Sequence, residues 1–155
     1  MVTQRTPEGW IKKSFKLPGL PSNPLLTYNF QSLGDLDCRL VIEWEGIKGN
    51  LSDKSNILIF NQHNFISAMW VMAAYELVRI FKNLDARPEV KETYELFRRV
   101  RIPLVKFEKP VNGEPTDFGI AHLAIGQSTK DLGWAIGPDT FISRNDLAES
   151  LYNLF

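Results

Sequence analysis

The sequence predicts a single α+β domain. Antiparallel strands pack on a long buried helix and a helical hairpin, and a C-terminal helix closes the fold. Three observations carry this expectation. Apolar residues alternate with polar ones in the first third of the chain, the mark of half-buried strands. From Asn64 the apolar spacing changes to a helical period. A capped amphipathic segment opens at Ser143.

The elements follow in order. Trp10 to Leu17 alternates, with Ile11, Phe15 and Leu17 on one side, and predicts a strand. The proline-rich stretch Pro18 to Pro24 predicts a loop. Leu25 to Phe30 predicts a second strand and Asp35 to Asp37 a turn. Cys38 to Glu45 predicts a third strand, with Cys38, Leu40, Ile42 and Trp44 facing one way. Asn56 to Phe60 predicts a fourth, so the four read as an antiparallel meander with one wet face.

The long helix is expected from Asn64 to Lys82, capped by Asn61 or Asn64. Pro88 suits the first turn of a second helix. In that helix Val90, Tyr94, Phe97 and Val100 share a face. Its acids lie early and its arginines late, which complements the helix dipole. The short link makes the two helices an antiparallel hairpin. Leu104 to Lys109 reads as a strand, with helical continuation as the alternative. Phe118 to Gly126 and Leu132 to Gly137 read as a β-hairpin. Ser143 as N-cap with Asp146 three residues on, and Ile142 with Leu147, predict a terminal helix over residues 144–154.

Composition bounds the function. The 155 residues suit one domain with its own core. With 44% hydrophobic residues, the chain is no disordered tail. The lone cysteine, Cys38, permits no internal disulfide. Residues 1–9 carry no apolar leader and read as a flexible segment. The most apolar run, Met69 to Tyr75, is too short to span a bilayer, which needs about 20 residues. The expectation is therefore a cytoplasmic protein without membrane contact. Net charge is zero, with 18 basic and 18 acidic residues, which argues against a uniformly basic nucleic-acid coat.

Motifs for chemistry are sparse. There is no Gly-x-Ser-x-Gly elbow, phosphate loop, or Cys-x-x-Cys or His-Glu-x-x-His spacing. No catalytic residue, metal or cofactor is therefore assigned. His63, placed before the long helix, is the first candidate for acid–base work. Glu76 and Arg79, three apart on that helix, form a polar pair that reads as a packing network or as a polar site at the hairpin. Glu43 and Glu45 read as the solvated face of a strand. His122 reads as a structural histidine in an apolar strand.

The charges are unevenly distributed. Arg98, Arg99, Arg101, Lys106 and Lys109 stand against one acid in residues 98–109, a local balance of +4. Residues 110–155 hold two basic and six acidic residues, a balance of −4. The basic strip either binds nucleic acid or pairs with the acidic C-terminal part.

The leading functional expectation is a non-enzymatic interaction or regulatory subunit of a larger assembly. Its partner would be another protein or a second copy of the chain. Trp10 and Trp134 are its candidate interface anchors, because aromatics are enriched there. The alternatives are nucleic-acid binding through the basic strip, and a small-molecule enzyme or binder with a pocket between sheet and helical hairpin. That pocket would use His63, Glu76 and Arg79.

Overall fold

A computed structural model describes residues 5–20, 22–111 and 113–155. Residues 1–4 of the expected flexible segment lie outside the described residues. Its other end is ordered into helix α1, Pro7–Ser14. The Thr6 hydroxyl accepts from the Gly9 amide at 3.1 Å, and Pro7 occupies the first turn, where its missing N–H costs nothing. Trp10, Ser14 and Leu17 are buried at spacings of four and three. The expected strand from Trp10 to Leu17 is thus corrected to a helix. Phe15, assigned to the buried side of that strand, is 68% exposed.

Helix α2, Pro24–Ile47, replaces the next two expected strands and the turn between them. It buries Leu26, Phe30, Leu33, Asp37, Leu40 and Trp44, a helical stripe. The alternation over Cys38 to Glu45 placed Ile42 inside, but the helix turns it outward, 73% exposed. Helix α3, Lys54–Leu84, absorbs the fourth expected strand and starts ten residues before Asn64. Asp53, rather than Asn61 or Asn64, caps it, accepting from the Ser55 amide at 2.9 Å. At about 1.5 Å per residue α3 is about 46 Å long.

Asp85 to Arg87 links α3 to α4, Pro88–Arg101, as the sequence predicts. The two helices meet through Tyr75 and Tyr94, stacked with ring centres 5.6 Å apart. Residues Ile102–Lys106 form a π-helical turn rather than the expected strand. Pro103 lacks an amide hydrogen, so the α-helical ladder cannot continue through it. Phe107, in the left-handed region at φ 55°, ends the turn.

The three strands are β1 (His122–Ile125), β2 (Leu132–Gly137) and β3 (Thr140–Ser143). They form one antiparallel sheet in the order β1-β2-β3. Helix α5, Arg144–Tyr152, follows directly. Ser143 and Asp146 form the predicted reciprocal cap: the Asp146 amide donates to Ser143 Oγ and the Ser143 amide to Asp146 Oδ2, each at 2.9 Å. The α+β class stands, with far more helix than the alternation implies. The main core gathers Trp10, Phe30, Trp70, Phe81, Phe97, Trp134, Ile136, Leu147 and Leu151. A smaller cluster of Trp44, Ile47 and Leu132 lies where α2 meets β2.

Candidate functional site

A charged group sits where an apolar stripe should continue. Asp37 lies on the inner face of α2 and is fully buried. It accepts from Arg5 Nε at 2.8 Å and from Arg144 Nη1 at 2.6 Å. Arg5 also donates to Asn145 Oδ1 at 2.6 Å. The Arg144 guanidinium lies over the Trp70 ring, 5.6 Å from its centre. A buried carboxylate needs such partners, because an unpaired one is strongly destabilising. The network joins the N-terminal segment, α2 and the start of α5.

Six residues further along α2, Glu43 reaches His63 on α3. His63 Nδ1 and Glu43 Oε1 are 2.7 Å apart, and the imidazole stacks on Trp44 with centres 5.5 Å apart. His63 is 1% exposed. It lies well inside α3, not ahead of the helix as expected. Burial holds its imidazole below the ordinary pKa. The hydrogen bond and charge of Glu43 oppose this without reversing it, and the Arg144 charge lowers it further. The ring is therefore neutral near pH 7. Its Nδ1–H donates to Glu43, which leaves Nε2 as an acceptor.

A cavity of about 160 Å³ opens beside this imidazole. Trp44, Leu132 and Val41 supply apolar wall; His63, Arg144 and Asn145 supply polar groups. Glu45 and Asp131 also face it. The Trp44 indole donates to the Lys130 carbonyl at 2.9 Å, which fixes the β1–β2 turn against α2.

Glu76 and Arg79 do not join this site. They pair at 2.8 Å with both side chains half exposed. Glu76 lies thirteen residues from His63, about 20 Å along the helix axis. The expected pocket between sheet and hairpin built on all three residues is corrected accordingly. The cavity that His63 lines lies instead among α2, α3, β2 and α5.

The basic strip is largely engaged within the chain. Arg98 pairs with Glu95 at 3.4 Å. Arg99 grips Asp117 with two hydrogen bonds, at 2.7 and 3.0 Å. Burial works to raise the Asp117 pKa, but the Arg99 bonds and charge, with the Glu114 amide, bring it below the usual range. Arg101 covers the Tyr75 ring. Lys109 donates to the Pro115 carbonyl, and Lys106 is exposed. Trp10 and Trp134 are both buried core residues, so neither is a surface anchor. His122 is exposed on β1 with its ring edge-on to Phe118, not buried in an apolar strand.

The exposed apolar surface lies elsewhere. Along α3, Ile59, Gln62, Ile66, Met69, Ala73, Glu76 and Ile80 recur at alternating spacings of three and four. This heptad stripe runs beside the one that packs into the core. Ile59, Ile66 and Met69 are all exposed, and Phe65 and Leu58 widen the stripe at 66% and 72% exposure. Its C-terminal half borders a groove between α2 and α3. That groove holds about 400 Å³ and is walled by Leu33, Leu36, Ala73, Leu77 and Ile80.

The sequence marks neither Asp37 nor Arg144: strands over residues 25–30 and 38–45 leave Asp37 in a turn, and nothing local to Arg144 at the start of the terminal helix points to so distant a partner. On a helix, Asp37 stands at the spacing of Phe30, Leu33 and Leu40, a charge within an apolar stripe. Among the described residues no group of three or more His, Cys, Asp or Glu is placed to hold a metal, and no helix is long and apolar enough to cross a membrane. No protein-family model matches the sequence, and no curated protein or solved structure matches it significantly.

Proposed function

We propose that the chain is a non-enzymatic interaction subunit that assembles through the outer face of α2 and α3, and that a second copy is the partner this face takes. The exposed heptad stripe on α3 is the observation that carries the reading. Apolar residues at this spacing on a solvent face form the seam that a second helix covers. Isolated exposed apolar residues are ordinary, but a contiguous row of them marks an interaction surface.

Size and charge support a second copy. From Ile59 to Ile80 the stripe is about 32 Å long. With α2 alongside at about 10 Å the face is about 20 Å wide, on the order of 600 Å². Two such faces together bury about 1,200 Å², the lower end of the range for a stable interface. Gln62 and Glu76 are the two polar positions that interrupt the stripe, and Glu76 carries a charge. Parallel pairing in register would set it against the partner's Glu76, two like charges. An antiparallel two-fold near Met69 sets it towards the partner's Gln62, an amide that can donate to it.

The test is sedimentation equilibrium over a wide concentration range, on the wild type and on Met69→Glu. A dimer that Met69→Glu dissociates, with unchanged far-ultraviolet circular dichroism, is the expected result. A wild-type chain that stays monomeric at every concentration overturns the reading.

A further inference from the structure

Two buried polar side chains meet at the cavity beside Trp44 with hydrogen-bonding capacity unused. His63 engages Nδ1 with Glu43, and its Nε2 makes no hydrogen bond among the described residues. Arg144 engages Nη1 with Asp37, and its Nε and Nη2 make none among the described residues. Both residues are at least nine-tenths buried. Among the described residues the sealed-off polar side-chain atoms without a partner are Trp10 Nε1 and Ser67 Oγ, so the free nitrogens of His63 and Arg144 instead face the open cavity, where a guest with matching polar atoms, or water, can meet them.

The chemistry of that guest follows from the walls. The imidazole offers an acceptor, while Arg144 and the Asn145 amide offer donors. A ligand that carries a donor beside an acceptor satisfies both. Charge selects against ions. Glu43, Glu45 and Asp131 stand around the site and repel an anion, although Lys48 pairs with Glu45. The Arg5 and Arg144 guanidiniums, two cations on the single Asp37 carboxylate, offset the pull these acids exert on a cation. The volume of about 160 Å³ compares with the roughly 150 Å³ cavity that admits benzene. Trp44 and Leu132 supply the apolar wall for such a ring.

We propose that this cavity binds a small neutral ligand of the carboxamide class. Its N–H₂ donates to His63 Nε2, its carbonyl accepts from Arg144 or Asn145, and its apolar part lies against Trp44 and Leu132. The site is separate from the α3 surface and does not depend on self-association.

Benzamide is the probe, with benzoate and benzamidine as anionic and cationic analogues of similar size. The readout is the imidazole resonances of His63 in the full chain, with exposed His122 as internal control. Benzamide should shift His63 saturably in the millimolar range and leave His122 in place. Val41→Trp, at the mouth of the cavity, should abolish the shift while the fold is retained. The wild-type titration needs no variant to be decisive. Absence of a saturable shift, or a shift that Val41→Trp leaves intact, overturns the site and marks a water-filled cavity. Tighter binding of benzoate or benzamidine than of benzamide overturns the ligand class.

Discussion

The Trp10 indole fills the space that a side chain on Gly34 would need. Glycine in a helix interior costs up to about 1 kcal/mol against alanine, yet Gly34 stands mid-way along α2 and is buried. Its lack of a Cβ lets α1 lie close enough for Trp10 to meet Phe30 at 4.9 Å and Tyr152 at 5.0 Å. Gly34→Ala therefore gains helix propensity and loses packing. Overpacking costs about 1–3 kcal/mol, so the clash wins. Urea denaturation should show a lowered midpoint with an unchanged slope. A variant as stable as the wild type would mean that α1 docks more loosely.

Asp37 holds two arginines, and its neutralisation should be costly. Asp37→Asn leaves the Arg5 and Arg144 charges without a counter-ion inside the fold. Breaking a buried pair from one side costs about 3–5 kcal/mol. The exposed pair Arg39–Asp35 on the same helix is the control. Arg39→Ala should cost about 0–1 kcal/mol, as for solvent-screened pairs. Equal effects from the two changes would contradict the buried network.

This pairing also explains what the sequence concealed. In eight-residue windows a helix that buries Leu40 and Trp44 can resemble a strand that buries Cys38, Leu40, Ile42 and Trp44. Only the wider spacing from Leu26 to Ile47 separates the two. Read as strands, the segment leaves Asp37 in a turn, although its position between Leu33 and Leu40 on a helix places it in the core. Local chemistry was legible where it is self-contained. The Ser143–Asp146 cap, Pro88 at the start of α4 and the β1–β2 hairpin each depend on neighbours within a few residues. Glu43 with His63, and Asp37 with Arg144, depend on partners 20 and 107 positions apart. Only the fold brings those together.

Acidification should weaken the protein through His63. In the unfolded chain this group takes a proton near pH 6.5. Burial lowers its pKa in the folded chain, with Arg144 acting in the same direction and Glu43 against it. Between the two values the unfolded state binds more protons, so stability rises with pH. The contribution is complete above about pH 6.5 and declines as pH falls towards the folded value. Urea midpoints from pH 8 to pH 5 should therefore fall more steeply for wild type than for His63→Gln. Parallel curves would assign the loss to other groups. Asp117 has a lowered pKa, so its contribution is lost at lower pH, below the ordinary carboxylate value of about 3.9.

Lys130 adopts a left-handed backbone, φ 58°, at the end of the β1–β2 turn. The turn needs that conformation. The Lys130 amide donates to the Gly126 carbonyl at 3.0 Å, and its own carbonyl accepts the Trp44 indole. A side chain at such an angle costs about 1–2 kcal/mol, which glycine avoids. Glycine adds freedom to the unfolded chain, and that offsets about 0.4–1 kcal/mol. Lys130→Gly should therefore raise stability by about 0.5–1 kcal/mol, while β-branched Lys130→Val should lower it. Both hydrogen bonds use backbone atoms and survive either change, so the two variants isolate the conformational cost. Thermal unfolding reads the order directly: glycine above lysine above valine. Valine at or above lysine would show that the turn relaxes out of the left-handed region, and the Trp44 fluorescence would then report the loss of its carbonyl partner.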